Sequence, residues 1–213
     1  MDILEKIKKH KNETFLIVFV VSICLAFIFQ LKQEDSLDYN RKFGIAKLLR
    51  IRKGGKSHKW IEYQFYENGK LIQSSDPLRA GWPNYIREGK PIIRAFYPVE
   101  FNREKPEYSK IIITEQPLKL HQIFKNHTTV YGDVVLSSAV SDSYVDLRIN
   151  YRFKESDFSF RTRLHKDSLP CGNVKNCIDS KIKMMVSNHY PEANDLYYKS
   201  YDRKNLLRKY KLN

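Results

Sequence analysis

The fold is predicted mainly from residues 43–72, which read FGIAKLLRIRKGGKSHKWIEYQFYENGKLI. Within this stretch, WIEYQF (residues 60–65) alternates apolar and polar side chains, which predicts a strand with one buried face. Two hairpin signals flank that strand, Lys53-Gly54-Gly55-Lys56 before it and Asn68-Gly69 after it. The stretch therefore predicts strand, turn, strand, turn, strand, with the strands at about residues 44–52, 58–66 and 70–75.

A second stretch has the same organisation, YGDVVLSSAVSDSYVDLRINYRFKESDFSF at residues 131–160. An ungapped offset of 88 residues aligns it with the first, for example Gly132 with Gly44 and Tyr151 with Tyr63. The same offset aligns Ser141–Ser143 and Ser156-Asp157 with the two turn signals. We interpret this as an internal repeat. It predicts strands at about residues 132–140, 144–153 and 158–164.

Further short strands are expected at residues 91–96 and 109–114 in the first unit and at residues 181–186 in the second. About five short antiparallel strands in roughly 70 residues are typical of a small, partly open barrel or sandwich. The predicted fold class is mainly β, with one N-terminal transmembrane helix followed by two tandem small antiparallel β-barrel or sandwich units. The predicted boundaries are residues 43–114 for β unit 1, 115–130 for a linker or short helix, 131–201 for β unit 2 and 202–213 for a basic C-terminal segment.

Residues 14–31, TFLIVFVVSICLAFIFQL, predict a membrane anchor. The segment has no charged residue, and at ~1.5 Å per residue its helix would be about 27 Å long, close to the thickness of a bilayer's hydrocarbon core. A cleaved signal peptide would need small residues near its end, where Phe27-Ile28-Phe29-Gln30 offers bulky ones. We therefore predict a single-pass transmembrane helix at residues 14–31, followed by a linker at residues 32–42.

The orientation of this helix is predicted from the basic residues on its two sides. Both flanks are positive, with Lys32, Arg41, Lys42 and Lys47 after the helix. The four lysines between residues 6 and 11 lie nearer to it, and they favour an N-terminus (residues 1–13) in the cytoplasm. The predicted location is the bacterial inner membrane, with the soluble region periplasmic or extracellular. In such an oxidising compartment Cys171 and Cys177 are candidates for a disulfide, with two unlinked thiols as the alternative.

The chain is strongly basic, with a formal net charge of +14 spread along its length. A solvated basic surface explains this charge, and attraction to anionic lipid, an acidic partner or nucleic acid is the functional alternative. An extracytoplasmic location argues against nucleic acid. The residues singled out as a basic contact surface are Lys53, Lys56, Arg203, Lys204, Arg208 and Lys209.

A motif series in the first unit resembles that of a known family. It runs from Gly44 through Tyr63-Gln64-Phe65 and Asn68-Gly69-Lys70, and then through Gly89-Lys90, Phe96-Tyr97-Pro98 and the ending at residues 106–111. On these motifs residues 43–113 resemble a family of uncharacterised bacterial membrane-anchored proteins with a small β domain of unknown function. The second unit, as a degenerate copy at residues 131–201, lacks the Gly-Lys step. The resemblance implies an anchored β domain with no established activity.

No catalytic, cofactor-binding or metal-binding residue is predicted. His165, Cys171, Cys177 and His189 lie in one stretch, but they lack the two-to-four-residue spacing of zinc knuckles. Lys53-Gly54-Gly55-Lys56-Ser57 resembles the end of a phosphate loop, but it precedes a strand and not a helix, and it is therefore predicted to be a hairpin tip.

The predicted function is that of a non-enzymatic, membrane-tethered binding or scaffolding module of the bacterial envelope. It would bind a protein partner, in an immunity role or as a subunit of an envelope complex. The alternative is an envelope hydrolase or sugar-binding enzyme with its site between the two units, for which His165, His189 and Asp76 are the test residues. A third hypothesis is nucleic-acid binding by a soluble region that lies in the cytoplasm.

Overall fold

The computed structural model describes residues 15–25, 28, 40–53, 59–77 and 91–203. Within these residues the chain is mainly β, and its strands are antiparallel. The strands are β1 (Arg41–Lys53), β2 (Lys59–Glu67), β3 (Lys70–Pro77), β4 (Phe96–Asn102), β5 (Ser109–Ile111), β6 (His127–Ala139), β7 (Tyr144–Phe153), β8 (Ser156–His165) and β9 (Lys181–Ser187).

The strands form two sheets that share one strand order. Sheet A has the order β3-β2-β1-β4-β5, and sheet B has the order β8-β7-β6-β9. Ala46 lies opposite Phe65 in sheet A, and Gly132 lies opposite Tyr151 in sheet B. The same pairing of positions is therefore repeated 86 residues later. The register also shifts at equivalent places, after Leu48 in β1 and after Val134 in β6. The first four strands of sheet A therefore share the strand order, the pairing register and the register shift of sheet B.

The predicted offset of 88 residues is wrong by two. The turn at Asn68 and Gly69 has positive φ at both residues, as a type I′ hairpin requires. Its counterpart is the turn at Lys154 and Glu155, which also has positive φ at both residues, whereas Ser156 already begins β8. Because side chains in a strand alternate with a period of two, a shift of two residues keeps every side chain on its own face. The wrong offset therefore gave the right buried faces.

The fourth strand also differs from its prediction. It runs from Phe96 to Asn102 and not over residues 91–96, and it passes through Pro98. The carbonyl of Pro98 accepts a hydrogen bond from the amide of Ile112 beyond the short strand β5, so the ring nitrogen faces that same side. A proline is tolerated where its missing N–H faces the edge of a sheet. The strand predicted at residues 109–114 is shorter, Ser109–Ile111.

Each sheet curls around its own apolar core. Tyr63, Phe65 and Phe101 are among the fully buried side chains inside sheet A, and Leu147 and Ile149 are among those inside sheet B. Complete burial of one large apolar side chain contributes about 1.5–3 kcal/mol. These cores account for the alternation that the sequence shows in β2 and β7.

A buried polar side chain holds the closing segment of each sheet at equivalent positions. In sheet A the carboxylate of Asp76 accepts a hydrogen bond from the amide of Ile111 in β5, at 2.8 Å. In sheet B the hydroxyl of Thr162, 86 residues later, donates to the carbonyl of Leu196 at 2.7 Å. Leu196 belongs to the short helix Asp195–Lys199, so a helix closes sheet B where a strand closes sheet A.

The loop after β8 is cross-linked. Cys171 and Cys177 form a disulfide with their Cα atoms 5.0 Å apart, and Cys177 is fully buried against the core of sheet B. Between β8 and β9 the chain makes a 3₁₀ turn, Lys166–Ser168, and a helical turn, Val174–Cys177. The disulfide and the buried Cys177 hold this loop against the core of sheet B.

We expect reduction of this disulfide to lower the free energy of unfolding by about 2 kcal/mol, because the cross-link closes a short loop in the unfolded chain. Denaturant unfolding with and without a phosphine reductant measures the effect. A Cys171→Ser/Cys177→Ala variant should be as stable as the reduced protein and should not respond to reductant. Equal stability of the oxidised and reduced wild type would contradict the expectation.

Residues 15–25 are helical, and their large apolar side chains are exposed by 49–74%. Both ends of the predicted anchor at residues 14–31 lie outside the described residues. Within the residues that are described, no helix has the length and apolarity needed to cross a membrane.

Candidate functional site

The chain covers the outer face of sheet A with one of its own segments. This docking segment, residues 188–198, reads NHYPEANDLYY and follows β9. It contributes Tyr190 and Ala193 to an apolar cluster on sheet A that also contains Ile45 and Phe96. The two sheets are thereby packed through a shared core.

Tyr190 is the central side chain of this contact, and it is fully buried. Its hydroxyl accepts a hydrogen bond from the side-chain amide of Gln64. Its ring meets Phe96 and Tyr66 edge to face, with centroid distances of 4.9 and 5.2 Å. The ammonium of Lys47 lies 6.0 Å from the ring centroid. Such aromatic pairs each contribute about 0.5–1.5 kcal/mol beyond the area that they bury.

Two further tyrosines fix the docking segment. The hydroxyl of Tyr66 donates to the carboxylate of Glu192 at 2.7 Å, and that of Tyr151 donates to the carbonyl of Pro191 at 2.5 Å. Burial is the main cause that raises the pKa of both tyrosines above their ordinary value. Both hydroxyls therefore stay protonated and act as donors at neutral pH.

A cleft of about 270 Å³ lies beside this contact. In it the ammonium of Lys42 is 2.7 and 2.9 Å from the two carboxylate oxygens of Glu67, which is buried. His189 also lines the cleft, and the side-chain amide nitrogen of Asn126 is 3.3 Å from its Nε2. Burial first, and then Lys154 and Lys42, lower the pKa of His189. The cleft thus contains an ion pair and an imidazole whose charged form is disfavoured.

The three residues proposed for a hydrolase lie in three different places. His189 lines the cleft, and Asp76 closes sheet A through the amide of Ile111. His165 lies at the end of β8, where its ring packs edge to face on Tyr144 and its Nδ1 accepts from the amide of Asp167. The fold does not gather them into one site.

No metal site is found in the part of the chain that the structure describes, where no three His, Cys, Asp or Glu side chains form a suitable group. Cys171 and Cys177 bind each other, so neither is available as a zinc thiolate.

The basic contact surface predicted from the sequence is only partly described. Lys53 is exposed at the end of β1. Arg203 stacks on Tyr197, with its guanidinium carbon 3.5 Å from the ring centroid, and donates to the carbonyls of Tyr197 and Arg161. Arg203 therefore holds the helix Asp195–Lys199 in place and is not a free contact residue. Lys56, Lys204, Arg208 and Lys209 lie outside the described residues.

Sequence reasoning did not single out the outer face of sheet B. Tyr131 on this face is 63% exposed, although it is equivalent to the buried Ile45 of sheet A. The sequence did contain a signal for this exposed face, because polar residues occupy every second position of β7. We define the exposed face of sheet B as Tyr131, Arg148, Asn150, Arg152, Lys181 and Lys183, all of which are exposed.

This face has more positive charge than its own acids neutralise. Asp146 binds Arg161 and Arg163 at 2.6 and 2.7 Å. Arg148 lies directly opposite Arg161 in the register of β7 and β8, and such like-charge pairs destabilise a sheet. Arg148, Arg152, Lys181 and Lys183 add four positive charges, of which Asp133 and Asp157 on the same side offset two. The exposed face of sheet B therefore attracts anions.

Asp146 predicts acid sensitivity. The hydrogen bond from Arg163, followed by the contacts with Arg161, lowers the pKa of Asp146 below its ordinary 3.8. A carboxyl group with a lowered folded-state pKa contributes stability that is complete above its unfolded pKa and is lost as the pH falls. We expect the free energy of unfolding of wild type to fall more steeply below about pH 4 than that of Asp146→Asn. Parallel acid curves for the two proteins would refute this.

Comparison of the chain with protein-family models, with curated proteins and with solved structures finds no match in any of the three.

Proposed function

We propose that this protein is a non-enzymatic, membrane-tethered binding module of the bacterial envelope that presents the exposed face of sheet B to a protein partner. One observation carries the proposal. The outer face of sheet A is covered by the docking segment, whereas the equivalent face of sheet B is exposed and carries Tyr131. Exposed parts of a sheet are common surfaces for the recognition of polypeptide segments.

The tether is part of the proposal. The helical residues 15–25 expose apolar side chains all around, which suits a lipid environment better than water. Together with the uncharged stretch at residues 14–31, they support a single-pass anchor. The disulfide between Cys171 and Cys177 is compatible with a soluble region in an oxidising compartment.

The organisation that we propose has two tandem β units, which arose by duplication and now differ in use. The shared strand order and the shared bulge position support this. The resemblance of residues 43–113 to anchored β domains of unknown function supports an envelope role. The cleft hydrolase is the weaker hypothesis, because His165, His189 and Asp76 lie apart.

A topology experiment tests the tether. In a Cys24→Ser background, Asp142→Cys places one free thiol in the exposed loop between β6 and β7. We expect a membrane-impermeant maleimide to label it in bacterial cells whose outer membrane has been made permeable, without lysis of the inner membrane. Labelling only after the inner membrane is lysed would place the soluble region in the cytoplasm and contradict the proposal.

A cross-linking experiment tests the binding role. The full chain, purified from detergent-solubilised membranes after cross-linking in cells, should recover a reproducible partner in defined stoichiometry. A chain whose sheet B cannot form, such as Gly132→Val, should not recover it. Absence of any reproducible partner would refute the binding function.

A further inference from the structure

We infer that the exposed face of sheet B docks an acidic, aromatic polypeptide segment of another protein, in the way that sheet A docks residues 188–198. This inference rests on the proposed binding function and adds the chemistry of the partner. It is carried by the equivalence of the two sheets and by the charge of the face.

The chain itself supplies the precedent for what such a face binds. The docking segment has two acidic residues, Glu192 and Asp195, and no lysine or arginine, although the whole chain has a net charge of +14. It binds sheet A through the buried aromatic ring of Tyr190 and through Glu192, which accepts from Tyr66. One aromatic ring and one acid thus make these contacts with the outer face of sheet A, whereas Asp195 accepts from the amide of Met185 in β9.

Sheet B offers matching groups at the equivalent positions. Asn150 is equivalent to Gln64, so an amide again lies where sheet A binds a tyrosine hydroxyl. Arg152 is equivalent to Tyr66, so a guanidinium replaces the hydroxyl that donates to Glu192. A carboxylate of the partner would therefore meet a cation at this position, which gives a stronger bond than a neutral donor.

Two apolar residues on the outer face of sheet A, Phe96 and Ile45, are replaced at the equivalent positions of sheet B. Phe96 is opposite Lys47 in β1, and Lys181 is opposite Asp133, the residue equivalent to Lys47. A lysine thus replaces the phenylalanine, and Tyr131 replaces Ile45. The face keeps one large ring for packing and gains a cation at the position of Phe96, while Asp133 replaces the cation of Lys47.

The charge of the face selects among occupants. A second copy of this face would meet like charge, and the C-terminal residues 204–213 contain four basic residues and no acid. An anionic bilayer surface would attract Arg152 and Lys181 but would repel Asp133 and Asp157, which lie on the same side of the sheet. A polypeptide places acidic and neutral groups individually, so the mixed pattern favours a polypeptide.

The test uses the full chain in nanodiscs of neutral phosphatidylcholine. The probe is a fluorescent peptide with the sequence of residues 188–198 carrying His189→Glu, and the control peptide has amides in place of all its acids. We expect the acidic peptide to bind, and to bind more weakly as salt is added. Arg152→Glu with Lys181→Glu should weaken its binding about tenfold or more. The matched pair Lys125→Glu with Lys175→Glu changes the net charge equally on other exposed surfaces and should leave binding unchanged.

Several results would overturn the inference. Equal affinity for the acidic and amide peptides, no binding of either, or equal effects of the two charge pairs would each do so. If the protein is a dimer, and the Arg152→Glu/Lys181→Glu pair dissociates it while the control pair does not, the occupant is a second copy of this chain. A third outcome concerns lipid: the thiol of Tyr131→Cys could become shielded from maleimide only in nanodiscs with about 30% phosphatidylglycerol. If the Arg152→Glu/Lys181→Glu pair abolishes that shielding, the occupant is the lipid surface.

Failure of the inference can be distinguished from failure of the proposed function. If the cross-linked partner is recovered equally well by wild type and by the Arg152→Glu/Lys181→Glu variant, the binding function stands and the docking surface is wrong. If no partner is recovered at all, the binding function itself is wrong.

Discussion

Replacing Tyr190 by alanine is expected to lower the free energy of unfolding by about 4 kcal/mol, the range seen when a large buried ring is deleted. The side chain is fully buried between Phe96 and Tyr66, and its removal leaves a cavity at the contact of the two sheets. It also leaves the side-chain amide of Gln64 without its acceptor in that contact, which adds a desolvation cost. Denaturant unfolding of the full chain in detergent measures the loss.

Two variants separate the causes. Tyr190→Phe keeps the ring and removes only the acceptor, so we expect a loss of about 1–3 kcal/mol. Tyr131→Ala deletes the same side chain at an exposed position of sheet B, and it should cost less than about 1 kcal/mol. Hydrogen exchange at Ile45 and Phe96 should accelerate in Tyr190→Ala, because the docking segment no longer covers sheet A. Unchanged exchange at these residues would show that the segment docks without Tyr190.

Gly132→Val is expected to cost about 3 kcal/mol or more, as over-packing of a filled core does. A Cβ atom at Gly132 would lie 2.6 Å from Cγ2 of Ile149 and 2.9 Å from Cε of Met184. The methionine terminus can move, but Cγ2 of Ile149 is held by a β-branched side chain in the core. We expect loss of sheet B, measured as lost thermal unfolding cooperativity and exposure of the disulfide loop to protease.

The equivalent position in sheet A provides the control. Ala46 is fully buried there and already accommodates a Cβ atom. Ala46→Gly should therefore cost only about 0.5–1 kcal/mol, mainly through backbone entropy, whereas Gly132→Ala should cost more because of its contact with Ile149. Equal costs for the two exchanges would mean that sheet B relaxes around the added methyl group.

The buried faces of the sheets could be predicted because they depend on a local period of two. The strand predicted at residues 144–153 coincides with β7, and Trp60–Phe65 lies within β2. The strand around Pro98 was missed, because a proline signals a strand end unless its missing N–H faces an edge, and that depends on the neighbouring strand β5. The offset of the repeat was missed because a slip of two residues leaves the local alternation of side chains unchanged, so the pattern cannot reveal the error.

The outer faces could not be predicted, because they depend on which part of the chain covers which sheet. Gln64 and Asn150 are similar polar residues in similar strands, yet one is buried and the other is exposed. The difference is made by Tyr190, more than a hundred residues from Gln64 in the sequence. Arg203 was taken for a contact residue for the same reason, because its stacking partner Tyr197 is apparent only once the helix Asp195–Lys199 has formed.

The late position of the docking segment has a consequence for synthesis. Ile45 and Phe96 leave the ribosome well before Tyr190, and 94 residues separate Phe96 from Tyr190. At about 5–20 residues per second, the apolar patch on sheet A lacks the cover of Tyr190 for roughly 5–20 s during every round of synthesis. A chain that stops before residue 188 keeps Ile123 in this cluster but lacks Tyr190 and Ala193. The docking segment thus reports on synthesis past residue 198, since only a chain that has reached this point can place Tyr190 and Ala193 on sheet A.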